Sequence, residues 1–286
     1  DSGDTAYVIS SPSVGDQTIS VAAGYTDIAG FSTRGPRRFD SALKPDITAP
    51  GSNIFSASAG SGSGGRASSG TSLAAPHVAG AMALLRQRYS AWAPFELKAL
   101  VMNSALSSLP AGNPALISHF SPPRLGAGRL SLTRAVAASA LVYNAENPGL
   151  VSLSFGAPEV IGSSKLVKNV GITNGTAEPV TYTVSYASVT DAPGVRFTLP
   201  VTTVAIAGAG SVAVPVEMAA EASAMRRSRD PRLAAPQNGE PRAWLSEASG
   251  YLLVWPPQAP FTLTMNPLVA GESQPVDAGS AQVELT

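Results

Sequence analysis

A glycine- and serine-rich segment that runs directly into an apolar, proline-containing stretch is the feature that most constrains this chain. Residues 59–70 read AGSGSGGRASSG, a flexible loop without the Gly-Lys-Ser/Thr ending of a phosphate loop. Apolar residues and alanines follow until Arg86. Pro76 is tolerated only in the first turn of a helix, where amides lack intrahelical partners. The pattern therefore predicts a buried helix over residues 72–89, with Ser72 at its N-terminus.

Ser72 has two interpretations that its place on the helix does not separate. The helix dipole and the unpaired amide of Ser72 would stabilise an oxyanion, which suits a nucleophile in acyl transfer. Serine and threonine also cap helices routinely, without any catalytic role.

Neither of the two histidines is suited to serve as the base for Ser72. His77 follows by five residues, which on a helix turns it about 140° away and places it about 7.5 Å further along the axis. A general base must come within about 2.6–3.2 Å of the nucleophile. His119, in LISHFSPP, is interpreted as a loop residue. We therefore expect the base to lie outside these positions.

The composition narrows the class of protein. The chain has 286 residues, 44% hydrophobic and 13% charged, which predicts a globular protein of one large or two ordinary domains. Nineteen basic residues balance nineteen acidic ones, so nucleic acid and anionic membranes are not favoured as partners. No apolar run has the length of a membrane span. The absence of cysteine excludes disulfides and thiolate metal sites, and no closely spaced carboxylate loop for calcium is present.

The residue pattern of the chain changes after Pro148, where alternating, β-branched segments begin. From this change we predict two domains. The first covers residues 1–146, with strands at 17–23 and 47–58 and further helices at 94–107 and 132–141. The second covers residues 147–286 and is predicted to be an antiparallel β-sandwich with a long surface loop near 223–243. Its alternating, β-branched strand segments are KLVKNVGITN (165–174), PVTYTVSYAS (179–188), SVAVPVEMAA (211–220) and GYLLVWP (250–256).

Three stretches in the first half occur in the order FSTRGP (31–36), KPDITAPG (44–51) and SGTSLAAPHVAG (69–80). Together they closely resemble the motifs of the subtilisin-like serine proteases, the subtilase family. The competing signature, the Gly-x-Ser-x-Gly elbow of α/β-hydrolases, is not met because Ala74 stands two residues after Ser72.

The resemblance implies an α/β fold with a mostly parallel sheet and a Ser-His-Asp triad that arrives in the chain order Asp, His, Ser. It implies that Ser72 is the nucleophile, presented by Gly70 and Thr71, and that polypeptides are the substrates. It also implies secretion or a cell-surface location, and calcium only as a family property. Asp46 is expected to hold a turn or loop rather than to act as the triad acid.

The resemblance places the triad acid and base upstream of residue 1. We therefore expect this chain to be an inactive fragment of a longer serine endopeptidase. The alternative is a non-catalytic subtilase-like scaffold with a binding or adhesion role.

The first residues, DSGDTAYVISSPS, resemble the family segment that begins at the oxyanion-hole asparagine, in one of two registers. In one register Asp1 takes the position of that asparagine, and an ionised carboxylate would repel the oxyanion. Loss of this donor in a subtilisin costs about 2.7–4 kcal/mol. In the other register the asparagine lies one residue before Asp1. Ser10, Ser11 and Pro12 would then line the pocket for the substrate residue before the scissile bond.

The second half resembles the fibronectin-III-like β-sandwich that follows the catalytic domain in many large subtilases, beginning with NPGLVSLSFG (147–156). The sandwich is expected to act as a packing or spacer module. Asn174-Gly175-Thr176 fits the acceptor pattern for N-glycosylation.

Overall fold

The computed structural model describes residues 6–107, 120–228, 230, 236–237, 239–241, 246–255 and 281–285. The first part of the chain contains β1 (Val21–Ala23), β2 (Ile47–Ala49), β3 (Ile54–Ala57), β4 (Gly65–Ser68), α1 (Thr71–Arg88), α2 (Pro94–Asn103), α3 (Pro122–Leu125) and α4 (Leu132–Ala137). The second part contains β5 (Ala140–Asn144), β6 (Ser163–Asn174), β7 (Val180–Thr190), β8 (Val195–Thr198), β9 (Thr203–Ile206), β10 (Ser211–Glu221), β11 (Pro236–Gln237), β12 (Glu240–Pro241), β13 (Ser249–Trp255) and β14 (Ala281–Leu285). Within these ranges no helix combines the length and apolar character needed to cross a bilayer.

The first part packs helices against a short parallel strand pair. β1 and β2 run parallel, with Val21 opposite Ile47 and Ala23 opposite Ala49. Both strands contribute to one hydrophobic core with α1 and α2. Small side chains on the strands let the helices approach closely, so the start of α1 lies against this strand pair.

α1 begins one residue earlier than predicted and buries one face only. Its buried side chains follow one stripe along the helix: Ala74, Val78, Ala81 and Leu85. The opposite face is exposed, and Leu84 on that face retains 55% of its accessible surface. The prediction of a helix buried on all sides is therefore wrong for this chain, because the described residues cover only the face toward β1 and β2.

The second part contains two four-stranded antiparallel sheets that share one hydrophobic core. One sheet has the strand order β5-β6-β10-β8, and the other has the order β14-β13-β7-β9. The four strands predicted from alternation are confirmed as β6, β7, β10 and β13. Alternate residues of β10, such as Val214 and Val216, point into the core, as a half-buried strand requires.

β5 joins the two parts of the chain. A helix over residues 132–141 was expected, but α4 ends at Ala137 and β5 begins at Ala140. The helix prediction is wrong here because β5 pairs with β6, which satisfies its backbone groups. Val142 packs in the core of the second part, whereas its neighbour Leu141 packs in the core of the first. The predicted domain boundary after residue 146 stays a prediction.

The region 223–243 is not simply the solvated excursion that its composition indicates. β11 and β12 form a short antiparallel hairpin within it. Asp230 is 1% exposed, and its Oδ2 lies 3.2 Å from Arg34 Nη1, an atom of the first part. The prediction of a solvated surface is wrong at Asp230, which lies in a loop but is buried because a distant arginine, Arg34, binds its carboxylate.

Asn174 at the end of β6 holds a turn of the second part together. Its side chain is fully buried, and Nδ2 donates to the carbonyl oxygens of Glu178, Ile206 and Ala207. Its Oδ1 accepts hydrogen bonds from Thr176 and Tyr182. The acceptor pattern for glycosylation therefore coincides with an amide that is inaccessible in the folded chain.

Replacement of Asn174 by alanine is expected to lower the free energy of unfolding by about 2–3 kcal/mol, because several buried polar groups lose their partner. Urea unfolding followed by circular dichroism measures this change. Asn169→Ala is the matched control on the same strand, since the half-buried Asn169 side chain forms no hydrogen bond within the described residues. Equal effects of the two substitutions would contradict the structural role of Asn174.

Candidate active site

Two of the sequence motifs meet at a pair of glycines in front of α1. The amide of Gly70 donates to the carbonyl of Gly51, 2.8 Å away. A Cβ added to Gly51 would lie 2.6 Å from the Cβ of Ala23 and 2.9 Å from the carbonyl oxygen of Gly70. Only glycine fits this close approach, so Gly51 fixes the loop that leads to Ser72.

Ser72 is the second residue of α1, and its side chain is exposed. Gly70 is the N-cap, and no side-chain hydrogen bond caps the helix. The capping interpretation of Ser72 is therefore wrong, and among the described residues no group engages its hydroxyl. The amide of Ser72 belongs to the first turn, where N–H groups have no intrahelical acceptor. The hydroxyl and an unpaired amide thus stand together at the positive end of the helix dipole.

An exposed hairpin leads into the nucleophile loop. β3 and β4 pair in antiparallel fashion, so β4 lies inside the stretch that was predicted to be a flexible loop. The turn before β3 is tied to the loop before α1, because the amide of Asn53 donates to Ser69 Oγ at 2.8 Å. Phe55 on this hairpin is 75% exposed.

His77, the histidine that the structure describes, faces its own helix backbone and not Ser72. The Nδ1 atom of His77 lies 2.9 Å from the carbonyl oxygen of Leu73, on its own helix. Leu73 directly follows Ser72, so this contact places the His77 ring about one helical turn beyond the nucleophile. Asp1 and His119 lie outside the described residues.

A polar cavity of about 140 Å³ lies beside Thr71. Its walls are rich in hydroxyl groups, contributed by Ser10, Ser13, Ser20, Ser32, Thr33 and Thr71. Of the three residues predicted to line a substrate pocket, the structure places Ser10 on this cavity. Ser11 and Pro12 are exposed on the adjoining turn, where the Pro12 carbonyl accepts from the amide of Gly15.

Asp46 lies in a buried ion cluster below the strand pair. Its Oδ2 accepts from Lys44 Nζ and from the amide of Ser20, each at 2.7 Å. Lys98 Nζ lies 3.1 Å from Asp46 Oδ1, and all three ionisable side chains are at most 3% exposed. The structure thus places Asp46 as a structural anchor of the segment that continues into β2. Sequence reasoning missed the two lysines, because lysine is rarely buried.

Main-chain carbonyl groups complete the shell around the two ammonium groups. Lys98 Nζ donates to the carbonyl oxygens of Asp16, Thr18 and Gly149, at 2.8–3.0 Å. Lys44 Nζ donates to the carbonyl oxygens of Gly15 and Thr18. Burial nevertheless lowers the pKa of Lys98 to about 8, since desolvation outweighs the attraction of Asp46.

A second buried ion cluster joins FSTRGP to the second part of the chain. Arg34 is 1% exposed. Its Nη2 donates to Glu247 Oε2 at 2.6 Å and to Ser121 Oγ at 2.7 Å, and its Nη1 donates to Asp230 Oδ2 at 3.2 Å. Ser32, two residues earlier, lines the polar cavity and accepts from the amide of Ala23 at 3.1 Å. The second part thereby anchors a segment that forms one wall of this cavity.

Further polar contacts bind the two parts. Asn147 Nδ2 donates to Asp16 Oδ2 at 2.7 Å, and Arg37 pairs with the other oxygen. The hydrogen bond from Asn147, followed by that from Arg37, holds the pKa of Asp16 below its usual value. Ser154 Oγ donates to the carbonyl oxygen of Ser41 at 2.9 Å.

An exposed serine at the start of a helix, with an unpaired amide and a hydroxyl-lined cavity beside it, is typical of the serine hydrolases as a class. The model of one family within that class, described as the subtilase family, matches residues 1–157, more than half of the chain. The chain belongs to the subtilase family.

Three similar proteins cover different shares of the chain. Subtilisin-like protease SBT1.7 of Arabidopsis thaliana is 33% identical over an alignment of 221 residues, and the match covers 66% of this chain and 28% of that protein. The minor extracellular protease Vpr of Bacillus subtilis is 37% identical over an alignment of 147 residues, and the match covers 49% of this chain and 16% of that protein. Fervidolysin of Fervidobacterium pennivorans matches 87% of this chain and 46% of its own at 16% identity, with a TM-score of 0.35. The chain spans less than a third of the length of the two curated relatives, SBT1.7 and Vpr.

Proposed function

We propose that this chain is the nucleophile-bearing part of a serine endopeptidase of the subtilisin type. The observation that supports it most directly is the exposed Ser72 at the start of α1, whose hydroxyl does not cap the helix, in a chain of the subtilase family. Polypeptides are the proposed substrates. The extracellular relative from Bacillus subtilis supports secretion or a cell-surface location for the whole protein.

In the proposed reaction, Ser72 Oγ attacks the carbonyl carbon of the scissile peptide bond. The Ser72 amide donates to the developing oxyanion, aided by the helix dipole. The cavity beside Thr71 receives the substrate residue before the bond, with Ser10 in its wall. The hydroxyl proton passes to a triad histidine, proposed to come from a part of the whole protein that precedes Asp1. This histidine gives the proton to the leaving amine as the C–N bond breaks, and an acyl-enzyme on Ser72 results.

No metal takes part in this proposal. Calcium is expected only as a property of the family. The described residues contain no group of three or more His, Cys, Asp or Glu side chains that could hold an ion. Next to Asp46, the carbonyl-lined position that could attract a cation is occupied by the ammonium groups of the two buried lysines.

The second part is proposed to be a fibronectin-III-like sandwich that fixes the wall of the polar cavity through its ion pairs with Arg34.

The chain as given is proposed to have little or no peptidase activity, because it supplies the nucleophile without its base. Loss of the triad histidine alone in subtilisin costs about 2 × 10⁶-fold in kcat. A fluorophosphonate probe with intact-mass detection is expected to leave Ser72 unmodified in this chain. Stoichiometric modification of Ser72 would contradict the proposed inactivity.

The complementary measurement uses the gene product that carries an Asp-[Ser/Thr]-Gly strand and a His-Gly-Thr-like motif ahead of Asp1. We expect the probe to modify Ser72 of that protein rapidly, and Ser72→Ala to abolish modification. A protein with both motifs that remained unmodified would overturn the peptidase proposal. An upstream sequence without them would favour the non-catalytic scaffold.

A further inference from the structure

A second cavity, of about 340 Å³, lies where the two parts of the chain meet. It shares no lining residue with the polar cavity beside Thr71. The first part contributes the segments around Tyr7, Pro36 and Pro123, and the second part contributes the end of its hydrophobic core. We call this space the junction cavity.

The wall from the second part is apolar and aromatic. Phe155, Val195, Phe197 and Met218 belong to the hydrophobic core, yet each retains 5–8% of its accessible surface because it borders this space. The rings of Phe155 and Phe197 lie with their centroids 5.2 Å apart. One end of the core is therefore open to the junction cavity instead of being closed by its own side chains.

The charged side chains of the opposite wall are already bound within the Arg34 ion cluster, which also includes Asp230. Arg34 and Glu247 both line the junction cavity, and they are bound to each other at 2.6 Å. The hydroxyl oxygens of Tyr7 and Ser41, which also line the junction cavity, lie 3.4 Å apart. A hydroxyl can donate a hydrogen bond to a ligand or accept one from it. A charged ligand would lose its hydration and would meet Arg34 and Glu247 already engaged with other partners, so this wall favours an uncharged ligand.

The junction cavity is reachable and its rim is fixed. Ala157 and Pro158 line it and are exposed, so they form its mouth. The rim before them is tied down by Ser154, whose hydroxyl donates to Ser41 and accepts from the amide of Gly156. Protein interiors retain few voids larger than a water molecule. An apolar space of this volume with a few polar groups on one side has the properties of a ligand pocket.

We propose that the junction cavity binds an uncharged, apolar molecule, a small aromatic or a medium-length aliphatic chain, with one hydrogen-bonding group. The apolar body lies against Phe155, Phe197 and Met218. The polar group points to the Tyr7 and Ser41 hydroxyls. This site is independent of the proposed peptidase function, because it involves neither Ser72 nor the cavity beside Thr71.

The test is a fluorescence titration of the 286-residue chain with prodan, an uncharged naphthalene ketone. We expect saturable binding at one site. Ala157→Trp at the mouth and Ala192→Phe in the wall are expected to weaken binding about tenfold or more, because each fills the space. Ala59→Trp, which adds a tryptophan on an exposed loop of the first part, is the matched control and is expected to bind as the unaltered chain does.

Competition identifies the class of ligand. Octanol is expected to displace prodan, and octanoate and octylammonium of the same chain length are expected to compete about tenfold less well or worse. Binding that does not saturate would overturn the proposed site. Binding that is unchanged in Ala157→Trp, the variant that blocks the mouth of the cavity, would overturn it as well. Equal competition by octanoate or octylammonium overturns the assignment to uncharged ligands.

Discussion

The Arg34→Met variant is expected to lose about 3–5 kcal/mol of unfolding free energy, because breaking a buried ion cluster leaves uncompensated charges. Arg34 faces Asp230 and Glu247, and these three side chains retain at most 10% of their surface. Without the guanidinium, two carboxylates remain close together in a water-poor space. Urea unfolding at neutral pH measures the loss. The same cluster joins FSTRGP to the second part, so both parts are expected to unfold at a lower midpoint.

The matched control is Arg196→Met, which removes an exposed arginine from β8. It is expected to change the unfolding free energy by no more than about 0.5 kcal/mol. Combining Arg34→Met with Asp230→Leu and Glu247→Leu is expected to restore much of the stability, since no charge is then left unpaired. If Arg34→Met unfolded like the Arg196 variant, the cluster would contribute nothing and the proposed coupling would fail.

This cluster shows which part of the fold the sequence could not predict. Arg34 is separated from Asp230 by 196 positions and from Glu247 by 213 positions, and no local pattern pairs them. Strands such as β6 and β10 were predictable because alternation is a local signal of period two. The first two residues of β5, Ala140 and Leu141, were predicted as the end of a helix, because the apolar residues of β5 face two different cores and do not alternate with polar ones.

The candidate site was predictable where it depends on short motifs. The position of Ser72 at the start of α1 followed from Pro76, whose ring is tolerated only in the first turn. The exposed face of α1 was not predictable, because the alanines on it carry no sign of whether other residues cover them. The cavity beside Thr71 depends on Ser10, Ser20 and Ser32, which come from separate segments, and serine is equally common on ordinary turns.

The burial of the two lysines is the feature near the site that the sequence pattern predicts least well. On α2, Lys98 would be assigned to the polar face, yet it is 2% exposed and surrounded by carbonyl groups. The compensation comes from Asp46, which precedes β2, and from the carbonyls of residues 15–18 and 149. Such a site is defined only once these segments have come together, and it then fixes the start of β2 and the approach of Gly51 to Gly70.

Replacement of Asp46 by asparagine removes the carboxylate that is paired with both buried ammonium groups. We expect a loss of about 3–5 kcal/mol in unfolding free energy near pH 7, since the amide keeps the shape but not the charge. Glu159→Gln, at an exposed position, is the control and is expected to change the stability by no more than about 0.5 kcal/mol. Urea unfolding of the variants beside the unaltered chain gives both values.

The pH dependence separates electrostatics from simple packing at Asp46. The pKa of Lys98 is about 8 in the folded chain and 10.5 as the reference value, so the unfolded state binds more protons between these values. Stability from this group therefore rises with pH across that window, by about 3 kcal/mol at most, and is lowest below it. Asp46 acts on Lys98 only while the amine is charged. The gap between the unaltered chain and Asp46→Asn is thus expected to be larger at about pH 6.5 than at about pH 9. In a Lys98→Met background the gap should become nearly independent of pH. A gap equally large at both pH values with Lys98 present would contradict the claim that Asp46 acts through the charge of Lys98.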